Sequence, residues 1–252
     1  MKTSILNLKT WALALGIVAA LSACGNVSVE VDEAYTTASG AQESSGQYNF
    51  TDFDAIEANG VASIVLTQDS VFKFEVKGDK NVISRMKIEQ DGSTLIIDDK
   101  TDWLDKIEGG KCEIHISLPV LKSIEVSGAN STKTTNTFVQ SKEIALDLSG
   151  AGSINLSVEA PALTIDASGA TSIKLKGKVD QFVVDMSGAG SVEAMDLETN
   201  TATISSSGAG SVTVWANQLL KIDASGVGAV QYKGNATVEK DISGMASVKK
   251  VD

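Results

Sequence analysis

Apolar and polar residues alternate along most of the second half of the chain, and an alternation of period two predicts β-strands. Between residues 144 and 158, six apolar residues share one phase on both sides of a Gly-Ala-Gly step: Ile144, Leu146, Leu148, Ile154, Leu156 and Val158. The next stretch repeats this pattern through Gly169. Because successive side chains of a strand point to opposite faces, the pattern predicts an all-β fold with one apolar face turned toward a common core.

A short motif, most often Ser-Gly-Ala-Gly-Ser, recurs seven times beyond residue 120. Its first glycines are Gly128, Gly150, Gly169, Gly188, Gly208, Gly226 and Gly244, with spacings of 22, 19, 19, 20, 18 and 18 residues. A period this short does not suit a pair of helices and is typical of one coil of a β-solenoid. We therefore predict that residues 121–252 form parallel β-helix or solenoid-like repeats of about 19 residues per coil. The glycines are expected at corners that are crowded or need a positive φ.

Residues 47–120 contain shorter alternating stretches, for example Phe72, Phe74 and Val76, and the run from residue 112 to 118. Turn signals such as Gly-Asp-Lys-Asn and Gln-Asp-Gly-Ser separate these stretches. The pattern predicts a mostly antiparallel β segment that precedes the repeats, with a single helical turn near residues 81–87.

The first 23 residues have the character of a signal peptide, with Lys2 and Lys9 ahead of an uncharged apolar run over residues 11–23. That run is shorter than the roughly 20 residues that span a bilayer. It ends in Leu-Ser-Ala-Cys-Gly, which resembles the lipobox of bacterial lipoproteins. We predict cleavage before Cys24, lipidation of Cys24 and a flexible tether over the rest of residues 24–46. The alternative is an ordinary cleaved signal with a cysteine nearby by chance.

The two cysteines and the net charge limit the disulfide bonds and the binding partners that we expect. Cys24 and Cys112 are the two cysteines, so lipidation of Cys24 leaves Cys112 without a disulfide partner, and its phase predicts a small buried side chain. The net charge of −11 repels polyanions, so nucleic acid is not an expected partner.

Residues 47–252 as a whole resemble a known family. The stretch FTDFDAIEANGVASIVLTQ, followed by CEIHISLPVLKSIEVSGANS and the Ser-Gly-Ala-Gly-Ser repeats, is similar to the head GIN domain family of auto-transporter adhesins of Bacteroidetes. The resemblance implies an all-β protein with a right-handed β-helix-like body, exported and often lipid-anchored. It supplies no catalytic or ligand residues.

One outward column lies two positions before each Ser-Gly, and six of its seven members are carboxylates: Glu125, Asp147, Asp166, Asp185, Ser205, Asp223 and Asp241. In stacked repeats these carboxylates would lie about 5 Å apart and repel one another. Asp147, Asp166, Asp185, Asp223 and Asp241 are therefore candidate ligands for Ca²⁺ or a cationic sugar. The alternative is that they hydrogen-bond backbone amides at the corner and are otherwise solvated.

Two tryptophans, Trp103 and Trp215, are candidate stacking faces for a sugar ring, or alternatively cover the edge of the core. The single histidine, His115, is predicted to be an exposed strand residue, and no Gly-x-Ser-x-Gly elbow accompanies it. The Gly-Ala-Gly steps lack the third glycine of a dinucleotide loop. We expect no cofactor.

Together these features predict a lipid-anchored cell-envelope lipoprotein, attached to the outer membrane by its lipid, that acts as a non-enzymatic adhesin-like module for a glycan or protein ligand. The sequence leaves open whether the domain faces the periplasm or the cell surface. The alternatives are a carbohydrate-active enzyme on a β-helix, and a structural or envelope-stress protein that binds another envelope component.

Overall fold

The computed structural model of the chain describes residues 30–36, 42–99 and 112–251. Three predicted features lie outside the described residues: the signal peptide, the lipidation site Cys24 and the aromatic candidate Trp103. These features stay predictions.

The described chain is nearly all β, which confirms the predicted class. Its elements are β1 (Glu30–Thr36), β2 (Gln42–Tyr48), β3 (Ala55–Gln68), β4 (Lys73–Asp79), α1 (Lys80–Ile83), β5 (Met86–Asp91), β6 (Thr94–Asp99), β7 (Cys112–Leu118), β8 (Ser123–Thr134), β9 (Phe138–Val139), β10 (Ile144–Lys233) and β11 (Thr237–Lys250). The one-turn helix α1 falls near the predicted helical turn. None of the described helices has the length and apolar character needed to cross a membrane.

One sheet connects these strands in the order β1-β2-β4-β7-β3-β8-β10-β11. The pairs β1–β2, β2–β4, β4–β7 and β5–β6 are antiparallel. The pairs of β3 with β6, β7 and β8 are parallel, as are β8–β10, β9–β10 and β10–β11. The sheet is not closed. The strands β1 and β2 lie largely in the range for which the sequence predicts a tether, and there they pair with each other.

Strand β3 corrects the prediction of a mostly antiparallel N-terminal segment. It runs parallel to β8, with Gly60 opposite Gly128 and Ser63 opposite Ser131. The sequence Asn-Gly-Val-Ala-Ser at residues 59–63 is a divergent copy of the repeat motif. Gly60 has a φ of 101°, which is positive like the φ of each later repeat glycine. The antiparallel prediction holds for the four pairs that do not include β3, namely β1–β2, β2–β4, β4–β7 and β5–β6. Strand β3 itself pairs in parallel with β6, β7 and β8.

Strand β10 is 90 residues long, and a straight strand of that length would measure about 300 Å. It bends instead at glycines of positive φ, and contacts between residues 19 or 20 positions apart recur along it: Lys174 with Glu193, Lys178 with Glu198, and Asn200 with Asp180. Successive repeats therefore lie on one another in parallel. The 19-residue coil and its right-handed sense stay predictions.

The inward positions of the repeats form continuous apolar columns. The first inward column, four positions before each repeat glycine from Gly60 to Gly226, is Ile56, Ile124, Leu146, Ile165, Val184, Ile204 and Ile222. The second inward column, six positions after the glycine, includes Leu156, Leu175, Ala194 and Val214. All of these side chains are at most 3% exposed. Burial at about 25 cal/mol per Å² of apolar surface makes these columns the main stabilising feature of the fold.

The corner glycines are crowded, as the sequence predicts. Gly188 has a φ of +126°, and a Cβ placed on it would come 2.5 Å from the carbonyl oxygen of Gly169. An L-residue meets both a backbone conformation it rarely adopts and a neighbouring main chain that cannot yield. Glycine at this position is therefore required by backbone conformation and by space.

Candidate ligand-binding face

The carboxylate column predicted from the sequence is present on the outer face. Asp147 pairs with Glu125 in β8, and Asp223 pairs with Asp241 in β11. Asp166 and Asp185 are exposed on β10 at the equivalent position. Adjacent members belong to neighbouring repeats, whose paired backbones lie about 4.8 Å apart.

Sequence reasoning missed the first member of this column, Glu57, which pairs with Glu125. Its carboxylate accepts a hydrogen bond of 2.9 Å from Asn59 Nδ2, which also donates to Asp98. The motif around Gly60 was the available signal, because Glu57 stands three residues before that glycine as Asp147 stands before Gly150.

The aspartates of the column do not converge on a point. A calcium ion takes six to eight oxygen ligands from several directions, whereas these carboxylates follow one another along a line. Within the ranges that the structure describes, no group of three or more histidine, cysteine, aspartate or glutamate side chains could hold a metal ion. The cation-binding role of Asp147, Asp166, Asp185, Asp223 and Asp241 therefore stays a prediction.

Trp215 projects from β10 on the outer face, because its neighbours Val214 and Ala216 are fully buried. Its indole Nε1–H donates a 3.1 Å hydrogen bond to Asn217 Oδ1. The ammonium of Lys233 lies 4.2 Å from the ring centroid, in cation–π contact. The indole is half-buried, and its contacts with Asn217 and Lys233 hold it in one orientation.

Further polar side chains extend this site across neighbouring repeats. Asn217 Nδ2 donates a 3.1 Å hydrogen bond to Glu198 Oε1, and Lys178 Nζ lies 3.6 Å from the same oxygen. We call Trp215, Asn217, Glu198, Lys178 and Lys233 the Trp215 cluster. The cluster offers an aromatic surface, an amide, a carboxylate and two ammonium groups on one face. The sequence indicated the outward direction of Trp215 and gave no sign of its four neighbours.

His115 lies outside this cluster, on β7. Its Nε2 is 2.9 Å from Glu113 Oε2, and Lys133 Nζ donates a 3.2 Å hydrogen bond to Glu113 Oε1. The Lys133 hydrogen bond, followed by the one from His115, holds the pKa of Glu113 below its ordinary value. The histidine side chain is 35% exposed, so it is half-buried where the sequence predicted an exposed strand residue.

Cys112 is half-buried, where the sequence predicted a buried side chain. It opens strand β7, so its Sγ borders the core and lies 3.4 Å from Met86 Sδ. Burial, with smaller contributions from Asp99 and Asp79, raises the pKa of this thiol to about 11. A thiol with such a pKa is a poor nucleophile at neutral pH.

A family model described as "Putative auto-transporter adhesin, head GIN domain" matches residues 52–236. This match spans most of the chain, from just before β3 to the residue before β11. The chain belongs to the head GIN domain family. Its name places the chain among adhesin-like proteins of the cell surface or envelope.

Solved structures share the head GIN fold. A "putative adhesin" from Bacteroides fragilis is 24% identical, with a TM-score of 0.76 over 83% of this chain and 97% of that one. A "putative lipid binding protein" from Parabacteroides distasonis is 22% identical, with a TM-score of 0.66 over 83% and 97%. A "putative adhesin" from Parabacteroides distasonis is 20% identical, with a TM-score of 0.61 over 84% and 98%. No curated protein matches the chain.

Proposed function

We propose that this head GIN domain is a non-enzymatic, adhesin-like binding module of the bacterial cell envelope, and that its ligand is a glycan or a glycan-bearing protein. The observation that supports this proposal is the Trp215 cluster. It joins a half-buried indole to amide, carboxylate and ammonium groups at fixed positions on the outer face.

This combination of groups matches the chemistry of a sugar. A pyranose ring has an apolar face of C–H groups that packs on an aromatic ring, and hydroxyls that need both donors and acceptors. Asn217 and Glu198 provide an amide and a carboxylate beside the indole. Lys233 covers part of the ring, so a ligand displaces the ammonium from the indole or lies beside it. Lys178 and Lys233 favour a sugar that carries a carboxylate or sulfate group.

The proposed lipid anchor is consistent with a role in adhesion. A lipidated Cys24 at the outer membrane, followed by a tether, would hold the domain away from the bilayer. The stacked repeats, proposed as right-handed solenoid coils of about 19 residues, would then present a long rigid face to a ligand. The alternative of a carbohydrate-active enzyme rests on analogy with other β-helices, and fold analogy does not establish function.

The test is binding of the purified chain to arrays of neutral, sialylated, sulfated and uronic-acid glycans, and to glycosylated matrix proteins. Trp215→Ala should weaken the binding of any captured ligand by roughly fivefold or more, since loss of an aromatic stack costs about 1–3 kcal/mol. Val183→Ala, which trims another exposed side chain of β10, is the matched control and should bind as the wild type does.

Two outcomes would count against the proposal. Release of new reducing ends from a bound polysaccharide would favour the enzyme. If Trp215→Ala binds the captured ligand as tightly as the wild type and Val183→Ala variants do, the Trp215 cluster is not the binding site.

A further inference from the structure

Strand β11 ends the parallel repeats and is the edge of the sheet in the part of the chain that the structure describes. It pairs with β10 from Leu219 with Thr237 to Tyr232 with Lys250. The opposite edge of the repeats is covered, because β3 pairs there with β6 and β7. An uncovered edge of this length is a template for pairing with another strand.

The register shows that β11 breaks the first inward column. Seven consecutive members of that column are aliphatic and at most 2% exposed, and the last of them is Ile222. The residue paired with Ile222 in β11 is Lys240, and it is exposed. A lysine therefore occupies the position that an aliphatic side chain fills in every preceding repeat.

The second inward column ends in the same way. Its buried members lead to the half-buried Tyr232, whose partner in β11 is the exposed Lys250. Lys240 thus precedes the corner of β11 at Gly244, and Lys250 follows it. Both have the parity of the core, whereas Lys249 has the parity of the outer face.

Apolar surface remains on β11 beside the two lysines. Val238, Ile242, Ala246 and Val248 are half-buried, and Met245 is 77% exposed. In the preceding repeat, the partners of Val238, Ile242 and Val248 are covered by β11: Leu220, Ala224 and Val230 are at most 3% exposed. Without the lysines, the inward side of β11 would be apolar, as it is in the preceding repeats, and a further strand could pack against it.

We propose that Lys240 and Lys250 are guard residues that keep β11 from pairing with β11 of a second copy of this chain. Pairing of the two edges would bury both ammonium groups beneath apolar columns, where no carboxylate of the inward columns could balance their charge. In the monomer the long side chains reach solvent past the strand. This inference concerns assembly and does not depend on the proposed ligand.

A second copy is the expected occupant because the charges of β11 are self-complementary. Of the outward residues, Glu239 and Asp241 lie on one side of Gly244, and Lys249 lies on the other. An antiparallel pair centred on Gly244 would set Glu239 of each strand opposite Lys249 of the other. Such a contact is two-fold symmetric and closes as a dimer.

The test compares charge-matched variants. Lys240→Ile with Lys250→Ile replaces the two inward lysines, and Lys221→Ile with Lys249→Ile makes the same chemical change at two outward positions. Each chain is produced in full, purified in density-matched detergent, and measured by sedimentation equilibrium over a concentration series. Circular dichroism confirms that each variant is folded. The single variant Lys240→Ile covers the case in which the double variant does not fold.

We expect the inward double variant to form a dimer with a dissociation constant at least roughly 100-fold below that of the wild type, because burial of the ammonium groups no longer opposes association. Lys240→Ile should lie between the two, and the outward variant should sediment as the wild type does. The proposal is overturned if the inward variants stay monomeric over the same concentrations, if the outward variant dimerises equally, or if the wild type already pairs through β11.

Discussion

Gly188 lies against Gly169 so closely that a Cβ on Gly188 would come 2.5 Å from the Gly169 carbonyl oxygen. The same contact recurs between Gly208 and Gly188, where the distance would be 2.3 Å. The glycine corner thus fixes how closely one repeat approaches the next. Any side chain there must either strain its own backbone or separate the strands.

Substitution of Gly188 by alanine should therefore lower the free energy of unfolding by about 3 kcal/mol or more, because strain from positive φ adds to a backbone clash. Gly92→Ala is the matched control. Gly92 also has a positive φ, of +58°, but nothing lies within 4 Å of its added Cβ, so the cost should be about 1 kcal/mol. Urea unfolding followed by circular dichroism measures both. Equal losses at the two positions would contradict the crowded-corner account.

The inward columns should be far more sensitive to truncation than the residues beside them. Val184→Ala removes two methyl groups from a side chain that is fully buried and should cost about 2 kcal/mol or more. Val183→Ala makes the same change at the adjacent position, which is 38% exposed, and should cost about 0.5 kcal/mol or less. The same urea titrations measure both losses. A larger loss for Val183→Ala than for Val184→Ala would mean that Val183, and not Val184, points into the core.

Glu113 should make a small, pH-dependent contribution to stability. Because its folded-state pKa lies below the unfolded value near 4.5, the contribution is present above that pH and is lost as the pH falls through the lowered folded-state pKa. The side chain is 41% exposed, so solvent screening limits the effect to about 0.5 kcal/mol.

Glu113→Gln should accordingly destabilise the chain at pH 7 and match the wild type in strong acid, in urea titrations repeated across that pH range. Glu143 is an exposed carboxylate of the loop before β10. Glu143→Gln is therefore the control, and its free energy of unfolding should equal that of the wild type across the pH range. A Glu113→Gln loss that persists undiminished in strong acid would show that packing, and not charge, is responsible.

Cys112 should react slowly with thiol reagents while the chain is folded. Its pKa of about 11 leaves roughly 100-fold less thiolate than the ordinary value of about 9 at a pH below both. In a Cys24→Ala background, alkylation at pH 8 should be slower by about that factor in buffer than in denaturing urea. Equal rates under the two conditions would show that Cys112 is not shielded by the fold.

Parity in the sequence was enough to predict much of this molecule. It separated inward residues such as Ile165 from outward neighbours such as Asp166, and the repeated glycines indicated crowded corners. These features depend on residues close together in the chain. They follow from the alternation of a strand and the absence of a Cβ in glycine.

Contacts between distant segments could not be predicted in this way. Gly60 pairs with Gly128, 68 residues later, because β4 to β7 are inserted between them and hide the repeat. The neighbours of Trp215 depend on repeat spacings that vary from 18 to 22 residues, so a fixed period does not identify them. The lysines of β11 were visible in the repeat, but their position at a sheet edge required the strand pairing.

The central proposal is that this head GIN domain is an adhesin-like binding module, which requires exposure at the cell surface, and protease treatment of intact cells tests that requirement most directly. The chain and a periplasmic control protein are followed by immunoblot before and after lysis. The account predicts rapid loss of the chain while the control survives. Full protection of the chain until the cells are lysed would contradict the adhesin account and place the domain in the periplasm.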